Sequence, residues 1–146
     1  CHEYGIIPSF IDKSKVDNNI KKLFIKDDSF GKLIHLTFKH HSKRMLSIKL
    51  EIDVNPPLGS TREIKYLDFP LDFSIAAQDL SSGFAGKSHA LLCRNYVKGR
   101  DWYDFLWYVS KGITPNLNLL SNAINQAGPW SNQNITITPK WYLKEM

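Results

Sequence analysis

An α+β fold, with a small mixed or antiparallel sheet followed by a helical C-terminal part, is what this sequence predicts, and three observations predict it. Apolar and polar residues alternate between positions 34 and 54, apolar residues recur at helical spacing beyond Asp79, and no internal repeat or low-complexity stretch breaks that order. At 146 residues, 42% hydrophobic and 12% aromatic, the chain holds enough apolar material for a buried core, which excludes a disordered tail.

The elements follow in order. Val16, Ile20, Leu23 and Phe24 fall at offsets of four, seven and eight, an amphipathic stripe that predicts a helix from about Ser14 to Ile25, with Asp17, Lys21 and Lys22 on its wet side. Ile34, Leu36 and Phe38 alternate with His35, Thr37 and Lys39 and predict a strand. A polar turn at His40-His41-Ser42-Lys43 leads to a second alternating run, Leu46, Ile48, Leu50, Ile52 and Val54, so the two runs read as an antiparallel hairpin. Asn55-Pro56-Pro57 stops the second strand, because neither proline can donate to a ladder. Two shorter β-like runs lie around Arg62 to Leu67 and Asp72 to Ala77. Phe84, Lys87, Ala90, Leu91 and Arg94 then keep helical spacing, and Gly99 breaks it. Asp101 reads as the cap of a helix from Trp102 to about Ser110 that ends at Lys111-Gly112, and a further helix is expected from about Pro115 to Gln126. Thr138-Pro139-Lys140-Trp141 resembles a helix cap and first turn. Residues 1–80 are thus expected to form a core sheet with one helix and residues 81–146 a helical part, together one compact unit. The start at Cys1, without an initiating methionine, and the stop just after that last cap suggest that both ends are truncated.

Composition narrows the function classes. No apolar run approaches the roughly 20 residues of a membrane span, and two cysteines, Cys1 and Cys93, do not make a disulfide framework. No secretory signal is recognisable, so a reducing, cytoplasmic setting is expected and the Asn134-Ile135-Thr136 sequon reads as chance. Residues 1–50 hold 10 of the 19 Lys and Arg but 5 of the 14 Asp and Glu, so the whole +5 charge lies in the first third. That imbalance suits a partner carrying phosphates; a solvated, lysine-rich surface explains it equally.

The residues that could carry chemistry lie in three segments. Period-two geometry puts Ser47, Lys49, Glu51 and Asp53 on one strand face, where the carboxylates of Glu51 and Asp53 suit a hard cation such as Mg²⁺ and Lys49 could meet phosphates. The solvated face of an edge strand shows the same pattern. Lys87 and Arg94, seven residues apart, share a helix face. Asp104 lies within an aromatic stretch of Trp102, Tyr103, Phe105, Trp107 and Tyr108, and if that helix is packed its carboxylate needs a partner, for which Lys87 or Arg94 is suited. His35, His40, His41 and His89 lack metal-ligand spacing, and Cys93 reads as a core thiol.

Three segments in order, SIKLEIDVNPP at 47–57, FAGKSHALLCR at 84–94 and KGRDWYDFLWYV at 98–109, resemble the AbiEii/AbiGii toxin family, nucleotidyltransferase-like proteins of type IV toxin–antitoxin and abortive-infection systems. The resemblance extends more loosely over most of residues 30–126. It implies a partial nucleotidyltransferase fold of the DNA polymerase β type, whose carboxylates bind two metal ions that hold a nucleoside triphosphate. Lys49 and Glu51 match the family's Lys-x-Asp/Glu motif, with Glu51 as the third acidic metal ligand and Asp53 in reserve. Lys87 and Arg94 match a motif that resembles a clamp on nucleotide phosphates, and Asp101 and Asp104 match the Arg-Asp-x-x-Asp motif that carries an aspartate needed for activity.

One departure is large. Family members begin with a Gly-Gly-Ser/Thr loop and, about ten residues on, an Asp-x-Asp/Glu pair, and residues 1–146 contain neither. The resemblance therefore implies a protein that in full length transfers a nucleoside monophosphate from a triphosphate, with Mg²⁺, to an acceptor such as tRNA, under the control of a cognate antitoxin. These 146 residues alone are expected to be inactive, because phosphoryl transfer at a two-metal site depends on the missing clamp. The alternative is a non-catalytic RNA- or protein-binding module derived from that fold.

Overall fold

A computed structural model describes residues 9–14, 19–27, 46–69, 71–96 and 98–146. The chain divides into two compact units, Cys1–Pro56 and Pro57–Met146, and the boundary falls at the proline pair that ends the second alternating run. Among the described residues no helix is long and apolar enough to cross a membrane.

In the first unit β1 (Ser9–Asp12), β2 (Ile20–Asp27) and β3 (Leu46–Asp53) form an antiparallel sheet in that order. Residues 20–25, expected as the end of a helix, are strand. The stripe of Ile20, Leu23 and Phe24 suggests a helix, but pairing decides for a strand: Leu23 lies opposite Leu50 and Ile25 opposite Ile48, so these four apolar residues share one face, while Ile20 and Phe24 lie on the other. The same register sets Lys22 opposite Glu51 and Phe24 opposite Lys49 on the other face. The strand expected over Ile34–Lys39 and the turn at His40–Lys43 lie outside the described residues, and the described neighbour of β3 is β2.

The second unit opens with the antiparallel hairpin β4 (Arg62–Leu67) and β5 (Phe73–Gln78), followed by α1 (Leu80–Cys93), α2 (Gly99–Ser110), α3 (Leu117–Gln126) and α4 (Pro139–Glu145). Local chemistry explains most of the starts. The Asp79 carboxylate accepts the Ser82 N–H at 2.8 Å, the Asn116 amide oxygen accepts the Leu119 N–H at 3.0 Å, and Thr138 Oγ1 accepts the Trp141 N–H at 3.2 Å with Pro139 in the first turn. Gly99 does not break the pattern as expected; it opens α2, with Lys98 at the cap position and no side-chain cap bond. Ser82 ties the hairpin to α1, since its hydroxyl accepts the Thr61 N–H at 3.0 Å.

The core sits between α1, α3 and α4. Ala85, Leu119, Leu120, Ile124, Ile137 and Tyr142 are buried together, and the Tyr142 hydroxyl pairs with Ser88 Oγ at 2.7 Å, so its polar end is satisfied inside. Phe84 of α1 stacks on Tyr108 of α2 with ring centroids 4.9 Å apart and meets Phe105 edge-on at 5.2 Å. Those ring contacts fix how α2 lies along α1, and with it the distance between the charged residues of the two helices.

Candidate functional site

Lys87 projects from the middle of α1, and Arg94 leaves its end as the C-cap residue in extended conformation. Facing them, Asp101 lies in the first turn of α2 and Asp104 one turn on. The structure brings these four together. Arg94 Nη1 is 2.6 Å from Asp101 Oδ2, Lys87 Nζ is 3.6 Å from Asp101 Oδ1, and Lys87 Nζ is 2.5 Å from Asp104 Oδ2. The result is a chain of alternating charges: Arg94, Asp101, Lys87, Asp104.

Burial divides the cluster. Asp101 exposes 1% of its side chain, whereas Arg94 exposes 47%, Asp104 37% and Lys87 33%. Asp101 is therefore not the helix cap that its position suggested; Lys98 and Gly99 precede it, and its carboxylate is a buried counter-ion. Burial alone raises the pKa of that carboxyl, but Arg94, then Lys87 and more weakly Arg100 outweigh it and hold it below the ordinary aspartate value. The partner expected for Asp104 is Lys87, although the desolvated member of the motif is Asp101 rather than Asp104. Arg100, the first residue of Arg-Asp-x-x-Asp, was missed as a contributor, and its signal was its place in that motif.

On β3, Lys49 and Glu51 stand two residues apart on one face with Lys49 Nζ 2.6 Å from Glu51 Oε1, and Lys22 Nζ approaches the same oxygen at 3.8 Å. The Lys49 hydrogen bond is the main cause holding the Glu51 carboxyl below its ordinary range. Lys22 was overlooked because its cross-strand place is invisible without the sheet. Asp53 lies on the same face, but its carboxylate accepts the Asn55 N–H at 2.9 Å and closes the turn after the strand. All three site residues of β3 are exposed. Lys49, Glu51 and Asp53 thus belong to the first unit, and Lys87, Arg94, Asp101 and Asp104 to the second.

A pair of divalent cations does not fit the described donors. Among the described residues no three His, Cys, Asp or Glu side chains gather as ligands, Glu51 is engaged by Lys49, and Asp53 is engaged by a backbone N–H. The Cys93 thiol is pushed up to about 11 by burial, which removes it as a nucleophile at neutral pH.

Against known proteins, the family model "Nucleotidyl transferase AbiEii toxin, Type IV TA system" matches residues 5–146. No curated protein and no solved structure matches the chain. The matched stretch takes in every element described above, including all three segments that carry the motifs, and the chain belongs to the AbiEii family of nucleotidyl transferase toxins of type IV toxin–antitoxin systems.

Proposed function

We propose that the chain supplies the phosphate-handling part of a nucleotidyl transferase that, in full length, moves a nucleoside monophosphate from a triphosphate to an RNA acceptor such as tRNA. The observation that carries this reading is the seating of Lys87 and Arg94 on one buried carboxylate. Two cations held by Asp101 at 3.6 and 2.6 Å are restrained before a ligand arrives, so less side-chain freedom is lost when phosphate oxygens bind. Arg94 uses Nη1 on Asp101 and leaves a half-exposed guanidinium with further N–H donors. In this reading Lys87 and Arg94 bind phosphate, Asp101 positions them, and Asp104 is the acidic group that meets the substrate.

Glu51, with Lys49 beside it and Asp53 in reserve, is the acidic group this chain would add to a Mg²⁺ site. The remaining carboxylates belong to the Asp-x-Asp/Glu motif that residues 1–146 lack, so these residues alone do not make up a Mg²⁺ site. The nucleoside triphosphate, Mg²⁺, the acceptor RNA and the antitoxin are partners of the complete protein. The test is incubation with labelled nucleoside triphosphates, Mg²⁺ and total tRNA. A complete protein that encloses this chain and carries the glycine loop and the acidic pair should label RNA, and the 146 residues alone should label none. Robust labelling by the 146-residue chain, abolished by Glu51→Ala, would overturn the assignment of an incomplete site.

A further inference from the structure

The second unit carries a groove of about 470 Å³ that shares no residue with the charge cluster. One wall is the side of α3 on which Asn118, Asn122 and Asn125 follow at one-turn spacing, and the other is the stretch around Asn134 and Thr136. No charged side chain lines it, so a phosphate or carboxylate would find no counter-charge there. Its volume suits a small molecule, for which sites of roughly 300–1,000 Å³ are usual.

The protein's own bonds fix the walls. Asn125 donates Nδ2 to the Ile135 carbonyl and accepts the Ile135 N–H on Oδ1, both at 2.8 Å. Ser121 Oγ accepts the Ile137 N–H at 2.9 Å, and Asn122 Nδ2 donates to the Leu58 carbonyl at 2.8 Å. The amides of Asn118 and Asn134 and the hydroxyl of Thr136 remain, on exposed residues, with no hydrogen bond to any described residue. Asn134 has a left-handed φ of 53°, a conformation that asparagine tolerates and that sets where its side chain starts.

An amide offers one donor and one acceptor side by side, and Asn125 already uses both on a single residue's backbone in this groove. The edge of adenine offers the matching pair, its N6 amine and N7. We propose that the groove binds an uncharged purine base, adenine foremost, through Asn118, Asn134 and Thr136, with Leu117 and Ile137 as apolar floor. A sugar could engage the same amides with its hydroxyls; the choice of a base rests on the nucleotide-handling reading above and on the aliphatic floor, which suits a flat ring face.

The experiment titrates the 146-residue chain with adenosine, which has no phosphate, and separately with glucose, while following the asparagine side-chain NH₂ resonances by NMR. Adenosine should move the Asn118 and Asn134 signals saturably and glucose should not. Asn134→Gly, which keeps the left-handed backbone, and Thr136→Val should each weaken adenosine about tenfold or more. Absence of a saturable shift, an equal response to glucose, or unchanged binding in both variants would overturn the proposal. Neither variant touches Lys87, Arg94, Asp101 or Asp104, so a failed titration leaves the transfer reading standing, and a failed transfer assay leaves the titration to decide this groove.

Discussion

Arg94 Nη1 lies 2.6 Å from Oδ2 of Asp101, whose side chain is 1% exposed, so a half-exposed arginine at the end of one helix is held by a buried aspartate in the first turn of the next. The same carboxylate reaches Lys87, which in turn holds Asp104. Asp101 thus links the end of α1 to the start of α2, and its loss and that of Asp104 should have different consequences.

Replacing Asp101 with Asn leaves Arg94 without its buried counter-ion and should lower the thermal midpoint by more than about 5 °C. Asp104→Asn removes a partly exposed pair, screened by water, and should move the midpoint by less than about 2 °C. Thermal unfolding of the two variants beside the parent checks the order; equal shifts would show that burial does not distinguish them.

The pH dependence follows from the same carboxylate. Its folded pKa is depressed, chiefly by Arg94 acting against burial, so its contribution is complete above the ordinary aspartate value of about 3.9 and fades as pH falls through the lower folded value. The midpoint difference between the parent and Asp101→Asn should stay constant from pH 7 to 5 and shrink below pH 4, as read by thermal unfolding across that range.

Leu120 and Ile124 are fully buried on α3. Leu120→Ala should cost about 2–5 kcal/mol and Ile124→Val about 0.5–1.5 kcal/mol, measured by urea denaturation. A cost below 1 kcal/mol for Leu120→Ala would mean that the α1, α3 and α4 core does not hold this unit together.

Gly128 has φ of 118°, and a Cβ there would stand 2.7 Å from both Cβ and Sγ of Cys93. Gly128→Ala combines a strained backbone with a clash and should destabilise by at least about 1–3 kcal/mol. The thiol it would press on has its pKa raised to about 11, so peptide-mapped alkylation of Cys93 at pH 8 should run far more slowly than that of an ordinary cysteine.

Much of the helical half was legible because its signals are local: Thr138 before Pro139 marks α4, and an aspartate among aromatic residues announced the need that Lys87 meets at Asp104. Long-range contacts hid the rest. The stripe of Ile20, Leu23 and Phe24 suggests a helix until β3 lies beside it, Lys22 faces Glu51 only in that register, and Asp101 resembles a cap until Arg94 and Lys87 close over it. The family motifs marked these residues without saying which carboxylate would be buried.

RNA labelling by the complete protein carrying Lys87→Ala, Arg94→Ala or Asp104→Asn reports directly on whether the cluster between α1 and α2 handles nucleotide. Each variant should lose labelling by at least about 100-fold, while the thermal midpoint of Asp104→Asn stays within about 2 °C of the parent. Undiminished labelling by Asp104→Asn and Lys87→Ala would contradict the account and leave the cluster as a structural ion-pair network.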